Sequence, residues 1–111
     1  MGNPALTEAV YYILLSLARQ PLHGYGIMQN AEQLSNGRIR LAAGTLYGAI
    51  NTLLTKGWIA ALSGEKDSRK KEYAITELGV AILKEELARL QELLDNGNAV
   101  LGGIEHENSH P

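Results

Sequence analysis

The residues with the chemistry to recognise a ligand are concentrated between positions 43 and 56. Thr45, Tyr47 and Asn51 lie on the side of a predicted helix opposite its apolar stripe. Their hydroxyl and amide groups can bond phosphates and base edges, and the amide of Asn51 matches the edge of adenine. No acidic residue occurs between Ser35 and Gly64. A slim helix without acids can enter the major groove of DNA, although packing against another protein surface is the open alternative.

Cations follow this helix along the chain. Lys56 lies near its end, where it can reach a phosphate, and a polar segment at 63–71 carries four more. On a loop between two strands, such cations can neutralise a nucleic-acid backbone, although they can also simply keep a sheet edge soluble. The predicted phosphate contacts are therefore Lys56, Lys66, Arg69, Lys70 and Lys71.

The charge distribution favours the same surface. The net charge is −2, but residues 34–73 carry seven cations against three acids, whereas residues 74–111 carry two cations against seven acids. A basic middle beside an acidic end indicates a localised surface for a polyanion. Ordinary solvated surface charge remains the alternative.

The elements that position these residues are mostly helices. Thr7 caps a first helix that Pro21 ends, and a second helix runs from His23-Gly24 to the stop signal Ser35-Asn36-Gly37. The third runs from about Ala43 to Lys56, and Gly57 ends it. Alternating or short apolar runs predict strands at 38–41, 58–62 and 72–75.

Together these elements predict a mainly α fold with a small β-hairpin wing (α+β), a winged helix-turn-helix with a long C-terminal helix. Thr76 caps this last helix, which is predicted to run to about Asp95 and to be closed by Asn96-Gly97-Asn98. We expect residues 1–75 to form the DNA-binding domain, 76–96 a dimerisation helix and 97–111 a flexible tail.

Leucines recur along the last helix at heptad-like spacing. Two copies could pair through such a seam, as a palindromic DNA site would require, although one helix packed on its own core gives the same pattern. The residues predicted to form the dimer contact are Leu83, Leu87, Leu90 and Leu94.

Catalytic and metal-binding patterns have little support. The chain has no cysteine, and His106 and His110 lie near the end of the chain with Glu105 and Glu107. We expect no enzyme activity, no metal and no cofactor. Without an apolar run long enough to span a bilayer or a signal-peptide pattern, the chain is expected to be cytoplasmic, with no membrane partner.

Four segments carry a resemblance to a known family. The matching segments are Pro21-Leu22-His23-Gly24-Tyr25-Gly26-Ile27, Gly44-Thr45-Leu46-Tyr47, Lys56-Gly57-Trp58-Ile59 and Lys70-Lys71-Glu72-Tyr73-Ala74-Ile75-Thr76-Glu77-Leu78-Gly79. In these the chain resembles the PadR-like transcriptional regulators, over about residues 5 to 95, and its single C-terminal helix is similar to the compact branch of that family.

The resemblance implies a winged-helix homodimer that binds double-stranded promoter DNA at a palindromic site, usually as a repressor. It places Thr45 and Tyr47 on the recognition helix and Lys70 and Lys71 on the wing. It also implies that a small aromatic effector can release the DNA. If the effector pocket lies between the two copies, Tyr11, Tyr12 and the last helix are candidate lining residues, although packing in the core explains these two tyrosines equally well. The alternative function is a protein-interaction adaptor with a winged-helix fold that no longer binds DNA.

Overall fold

The computed structural model describes residues 4–62 and 70–108, the last four of these for their backbone only. It confirms a mainly helical fold with a small antiparallel sheet. In chain order the elements are α1 (Glu8–Arg19), β1 (Leu22–His23), α2 (Gly24–Leu34), α3 (Ala43–Lys56), β2 (Ile59–Ala61), β3 (Glu72–Ile75) and α4 (Glu77–Asn108).

Three helices begin at a side chain that caps their free amides. The hydroxyl of Thr7 accepts from the Val10 amide at 3.1 Å, and Nδ1 of His23 accepts from the Gly26 amide at 3.0 Å. The hydroxyl of Thr76 accepts from the Gly79 amide at 3.1 Å. These local bonds explain why the sequence alone places the starts of α1, α2 and α4 correctly.

The sheet has the order β1-β3-β2, with Leu22 opposite Tyr73 and Ile59 opposite Ile75. The predicted strand at 38–41 is wrong, because the third strand comes from Leu22–His23 instead. Residues 38–41 are held by the helices: Nε of Arg38 lies 2.9 Å from Glu8, and Nε of Arg40 lies 3.2 Å from Glu32.

One apolar core joins all the helices and the sheet. It contains Ile13 and Leu14 of α1, Ile27 of α2, three residues of α3 and Tyr73 of β3. The first turns of α4 belong to it as well, since Ile82 and Leu83 are 5% and 6% exposed. The start of the last helix is therefore part of the protomer's own body.

The predicted end of the last helix near Asp95 is wrong, because α4 continues through Asn96-Gly97-Asn98 to Asn108. Asn and Gly disfavour a helix by only about 1 kcal/mol or less each, and an apolar pattern resumes at Val100, Leu101 and Ile104. At about 1.5 Å per residue, a 32-residue helix is about 48 Å long. The helix accounts for much of the 69 Å length of the molecule.

The length and apolar character of a helix determine whether it could cross a membrane. Within residues 4–62 and 70–108, no helix combines the length and the apolar character needed to cross a membrane.

The division of the chain into a DNA-binding domain, a dimerisation helix and a tail stays a prediction.

Candidate nucleic-acid interface

Helix α3 presents one face to the core and the opposite face to solvent. Leu46, Ile50 and Leu53 are at most 1% exposed, which fixes the rotation of the helix about its axis. The exposed side then carries Thr45 and Asn51, together with Gly44, Gly48, Thr52, Thr55 and Lys56. The side chains on this face are small or neutral apart from Lys56, in the last turn. The face is therefore narrow and has no negative charge.

Tyr47 occupies a different position from Thr45 and Asn51. It is half-buried, and its hydroxyl lies against the start of α2, where a methyl group on Gly24 would overlap it. Burial raises the pKa of Tyr73 on β3, and the nearby Tyr47 raises it further. Tyr47 thus lies where α3, α2 and the sheet meet, and much of its ring is withdrawn from the exposed face.

The cations divide into three groups. Lys56 is exposed, with its ammonium group 4.8 Å from the centre of the Trp58 ring. Lys70 is exposed and Lys71 half-buried, directly before β3. The predicted contacts Lys66 and Arg69 lie outside the described residues. Because β2 follows α3 after only Gly57 and Trp58, the hairpin is attached directly to the end of α3.

Two residues of the basic middle are already paired. Arg38 and Arg40 form ion pairs with Glu8 of α1 and Glu32 of α2, and all four side chains are largely exposed. Exposed pairs of this kind contribute little to stability. They do reduce the positive charge available from this segment, which the sequence could not reveal because the partners are distant along the chain.

A groove of about 390 Å³ separates α1 from α4. Its lining residues are Tyr11 and Tyr12, together with Leu6, Glu8, Glu86, Arg89 and Leu90. The effector role of the two tyrosines stays a prediction. Glu86 is only 6% exposed, and Arg89 binds it through two nitrogens at 2.8 and 2.6 Å. Sequence reasoning missed this pair, because a Glu and an Arg three residues apart usually lie on a solvated helix face.

The pair determines how Glu86 titrates. The hydrogen bonds from Arg89 lower the pKa of Glu86, burial opposes this, and the charge of Arg89 and the Leu6 backbone amide lower the pKa again. A carboxylate whose pKa is lower in the folded than in the unfolded state stabilises the folded protein at pH values above the unfolded-state pKa. This contribution disappears as the pH falls through the folded-state pKa.

Replacing Glu86 with glutamine should therefore weaken the pH dependence of stability on the acid side. We expect Glu86→Gln to be less stable than the wild type at pH 7, and the two to converge as the pH falls below about 4. Urea unfolding at several pH values measures this. Glu92→Gln, at an exposed site on the same helix, is the control. Parallel curves for wild type and Glu86→Gln would contradict the role of the pair.

The predicted dimer residues do not share one environment. Leu83 is buried in the protomer's own core, whereas Leu87, Leu90 and Leu94 are 45%, 38% and 57% exposed. Further along α4, Leu93, Val100, Leu101 and Ile104 are also exposed. The sequence prediction stopped at Leu94 because it ended the helix too early.

For metal ligands, the relevant part of the chain is the one whose side chains the structure describes, residues 4–62 and 70–104. There, no group of three or more His, Asp or Glu residues is placed to hold a metal ion. Glu105, His106 and Glu107 have side chains outside that part.

Three helices, a three-stranded sheet and a hairpin that follows the third helix define a winged helix-turn-helix protein. The sequence model of the transcriptional regulator PadR-like family matches residues 13–85. The chain belongs to this family and is a transcriptional regulator. This membership agrees with the expectation that it is not an enzyme.

Known proteins with similar folds or sequences support the assignment. A transcriptional regulator from Clostridium thermocellum is 25% identical, with a TM-score of 0.70 over 82% of this chain and 87% of that chain. A PadR-like transcription factor from Bacteroides fragilis is 27% identical, with a TM-score of 0.68 and the same coverage. An uncharacterized 37.1 kDa protein in transposon TN4556 of Streptomyces fradiae is 35% identical over 86 residues, 78% of this chain. The match spans 24% of that relative's length.

Proposed function

We propose that this chain is a sequence-specific DNA-binding repressor that acts in the cytoplasm as a homodimer on a palindromic promoter site. The observation that carries the proposal is the exposed, acid-free face of α3, followed directly by a basic hairpin. Thr45 and Asn51 enter the major groove, which is about 12 Å wide, and Tyr47 supports the helix at its edge. The phosphate contacts are Lys56, Lys66, Arg69, Lys70 and Lys71.

The composition of α3 determines how the DNA would be recognised. Its only cation, Lys56, lies in the last turn, so a bidentate contact from an arginine to guanine is absent from this helix. Asn51 can pair with adenine, and the hydroxyls can bond either bases or phosphates. Most of the binding energy would then come from phosphate contacts, so affinity should fall steeply with salt.

Selection of bound duplexes from a random pool tests the proposal. We expect enrichment of a palindromic site whose half-sites are related by the two-fold axis of a dimer. If micromolar protein retains no duplex at about 50 mM salt, DNA binding is refuted and the protein-interaction adaptor becomes the better explanation.

Removing two hairpin cations should change the salt dependence of binding. The double variant Lys70→Ala with Lys71→Ala should bind DNA more weakly, with the slope of log K against log salt smaller by up to about 2, because two phosphate contacts are lost. Fluorescence anisotropy at several salt concentrations measures the slope. Lys84→Ala, on an exposed position of α4, should leave the slope as it is. An unchanged slope in the double variant would exclude the hairpin from the interface.

The exposed apolar residues of α4 support the homodimer. Leu87, Leu90 and Leu94 lie on one side of a helix that extends beyond the body, and burying them in water-free contact is favourable. A second copy offers the same stripe, and a closed two-fold contact would bury both stripes at once.

The groove between α1 and α4 is the proposed site for a small aromatic effector. Two tyrosines, Leu6 and Leu90 give it aromatic and aliphatic walls, and the ion pair of Arg89 with Glu86 lies among its lining residues. Aromatic compounds can be screened for those that raise Tm and, in a second assay, lower affinity for the selected DNA. A compound that raises Tm without changing DNA affinity would count against an effector role for its site.

A further inference from the structure

Only one residue separates the last strand from the last helix. Thr76 lies between β3 and α4, and only Gly57 and Trp58 lie between α3 and β2. Because Ile59 of β2 pairs with Ile75 of β3, these two short connections lie side by side. The exposed helix α3 and the long helix α4 therefore meet the sheet at the same point.

Thr76 bonds to both residues of the neighbouring connection. Its hydroxyl donates to the carbonyl oxygen of Gly57 at 2.7 Å, and its amide donates to the carbonyl oxygen of Trp58 at 3.0 Å. The same hydroxyl accepts from the Gly79 amide at 3.1 Å and so caps α4. One side chain thus joins the end of α3 to the first turn of α4, and we call Gly57, Trp58, Thr76 and Gly79 the junction.

The bond to Gly57 reaches the residue that ends α3. Gly57 has a φ of 76°, and its amide donates back into the helix, to the carbonyl oxygen of Leu54 at 3.1 Å. In this left-handed turn the Gly57 carbonyl no longer takes part in the helix, and the Thr76 hydroxyl is its partner. The direction in which α3 ends is therefore tied to Thr76.

Few other contacts fix the angle between α3 and α4. Helix α4 lies mainly against α1 and β3, whereas α3 lies mainly against β2 and α2, and the two helices approach each other little. Apolar side chains of both helices share the core, but apolar burial is not directional in the way that a hydrogen bond is. The angle therefore depends on the sheet and on the junction.

We infer that Thr76 is a positioning residue for DNA recognition, whose hydroxyl holds α3 at a fixed angle to α4 and so selects the spacing of the two half-sites. This rests on the proposed function, in which two copies bind one palindromic site. Half-sites of such dimers lie about 34–36 Å apart, or a multiple of this. A change of angle at the junction would act on this distance twice, once in each copy.

The chemistry of threonine suits this position. A hydroxyl can donate one hydrogen bond and accept others at the same time, as the bonds to Gly57 and Gly79 require. The branch at Cβ restricts the rotation that would turn the hydroxyl away. Serine keeps both bonds, aspartate can accept from Gly79 but cannot donate to Gly57, and valine can do neither.

Duplexes of altered spacing test the inference. One base pair inserted at the centre of the selected palindrome moves the half-sites ~3.4 Å further apart and turns one against the other by roughly 35°. To bind both half-sites of this longer duplex, each protomer must change the angle between α3 and α4 and break the bond from Thr76 to Gly57. The readout is the ratio of the dissociation constants for the longer and the selected duplex, measured by fluorescence anisotropy with the full-length chain.

The wild type should prefer the selected duplex, and loss of the hydroxyl should reduce this preference. In Thr76→Asp and Thr76→Val the ratio should fall about tenfold or more, because two bonds per dimer no longer oppose the change of angle. Thr76→Ser should keep the wild-type ratio within about twofold, because it retains both bonds. The charge of aspartate weakens binding to both duplexes alike, so the ratio does not depend on it.

Thr7→Val is the matched control, since Thr7 caps α1 with the same kind of bond, from the Val10 amide at 3.1 Å. This variant loses a helix cap but leaves the junction bonds in place, so its ratio should equal that of the wild type. Far-UV circular dichroism and Tm establish that each variant is folded. Thr76→Asp retains the cap of α4, so it decides the question if Thr76→Val does not fold.

The remaining outcomes separate the inference from the proposed function. A wild-type ratio in folded Thr76→Asp would overturn the inference and leave DNA binding by a dimer standing. A reduced ratio in Thr76→Ser or Thr7→Val would also overturn it, because the effect would then not depend on the bond between Thr76 and Gly57. A wild type that binds both duplexes equally well would contradict the inference alone, whereas a wild type that binds no duplex would refute the proposed function and the inference with it.

Discussion

Replacing Gly79 with alanine should lower the free energy of unfolding by about 3 kcal/mol, at the upper end of the range for overpacked sites. The added methyl group would overlap the carbonyl oxygen of Trp58 and lie 2.7 Å from Cγ1 of Ile75. The same carbonyl accepts a hydrogen bond from the Thr76 amide, so moving it away would disturb the junction of β2, β3 and α4. Thermal unfolding should show a fall in Tm of roughly 10 °C or more.

The matched control for this change lies further along the same helix. A methyl group at Gly102 would meet nothing within 4 Å, so Gly102→Ala should cause no loss of stability. It should instead favour the helix by up to about 1 kcal/mol. Equal stability of Gly79→Ala and Gly102→Ala would contradict the close contact between α4 and the end of β2.

Introducing a charge among the exposed leucines of α4, which are Leu87, Leu90 and Leu94, should separate the two copies of the proposed homodimer. Leu94 is 57% exposed in the protomer, so Leu94→Glu leaves the folded monomer intact while placing a carboxylate in the proposed interface. We expect a monomer at concentrations where the wild type is a dimer. Affinity for a palindromic duplex should fall about 100-fold or more, because the advantage of binding two half-sites together is lost.

Sedimentation and gel-shift titration measure the two effects separately. Ala88→Glu adds the same charge at an exposed position on a different side of α4. This variant should dimerise and bind DNA with the affinities of the wild type. A monomeric Leu94→Glu that still binds the duplex with wild-type affinity would show that recognition does not depend on the dimer.

The parts of the fold that depend on neighbours in sequence were predictable. Thr7, His23 and Thr76 cap helices through amides three residues away, and Gly37 and Gly57 take the left-handed conformation with φ of 82° and 76°. Such bonds and backbone preferences are local. The bounds of α3 and the exposure of Thr45, Asn51 and Lys56 follow in the same way from the spacing of the apolar residues.

Contacts between segments that are distant along the chain could not be predicted from local sequence patterns. The two-residue strand β1 forms because it pairs with the edge of β3. The segment 38–41 has the alternating pattern of a strand, but its arginines form ion pairs with α1 and α2 instead. The withdrawal of Tyr47 toward Gly24 likewise depends on how α2 and α3 pack.

The last helix shows both kinds of information side by side. The heptad spacing of its leucines is visible in the sequence and predicted a helix-pairing seam. The spacing does not show which of these leucines are buried within the protomer. Packing against α1 and the sheet buries Leu83, whereas the apolar residues from Leu87 to Ile104 stay exposed. Periodicity is a property of one helix, whereas burial depends on which surfaces reach it, and only the folded arrangement of distant segments determines that.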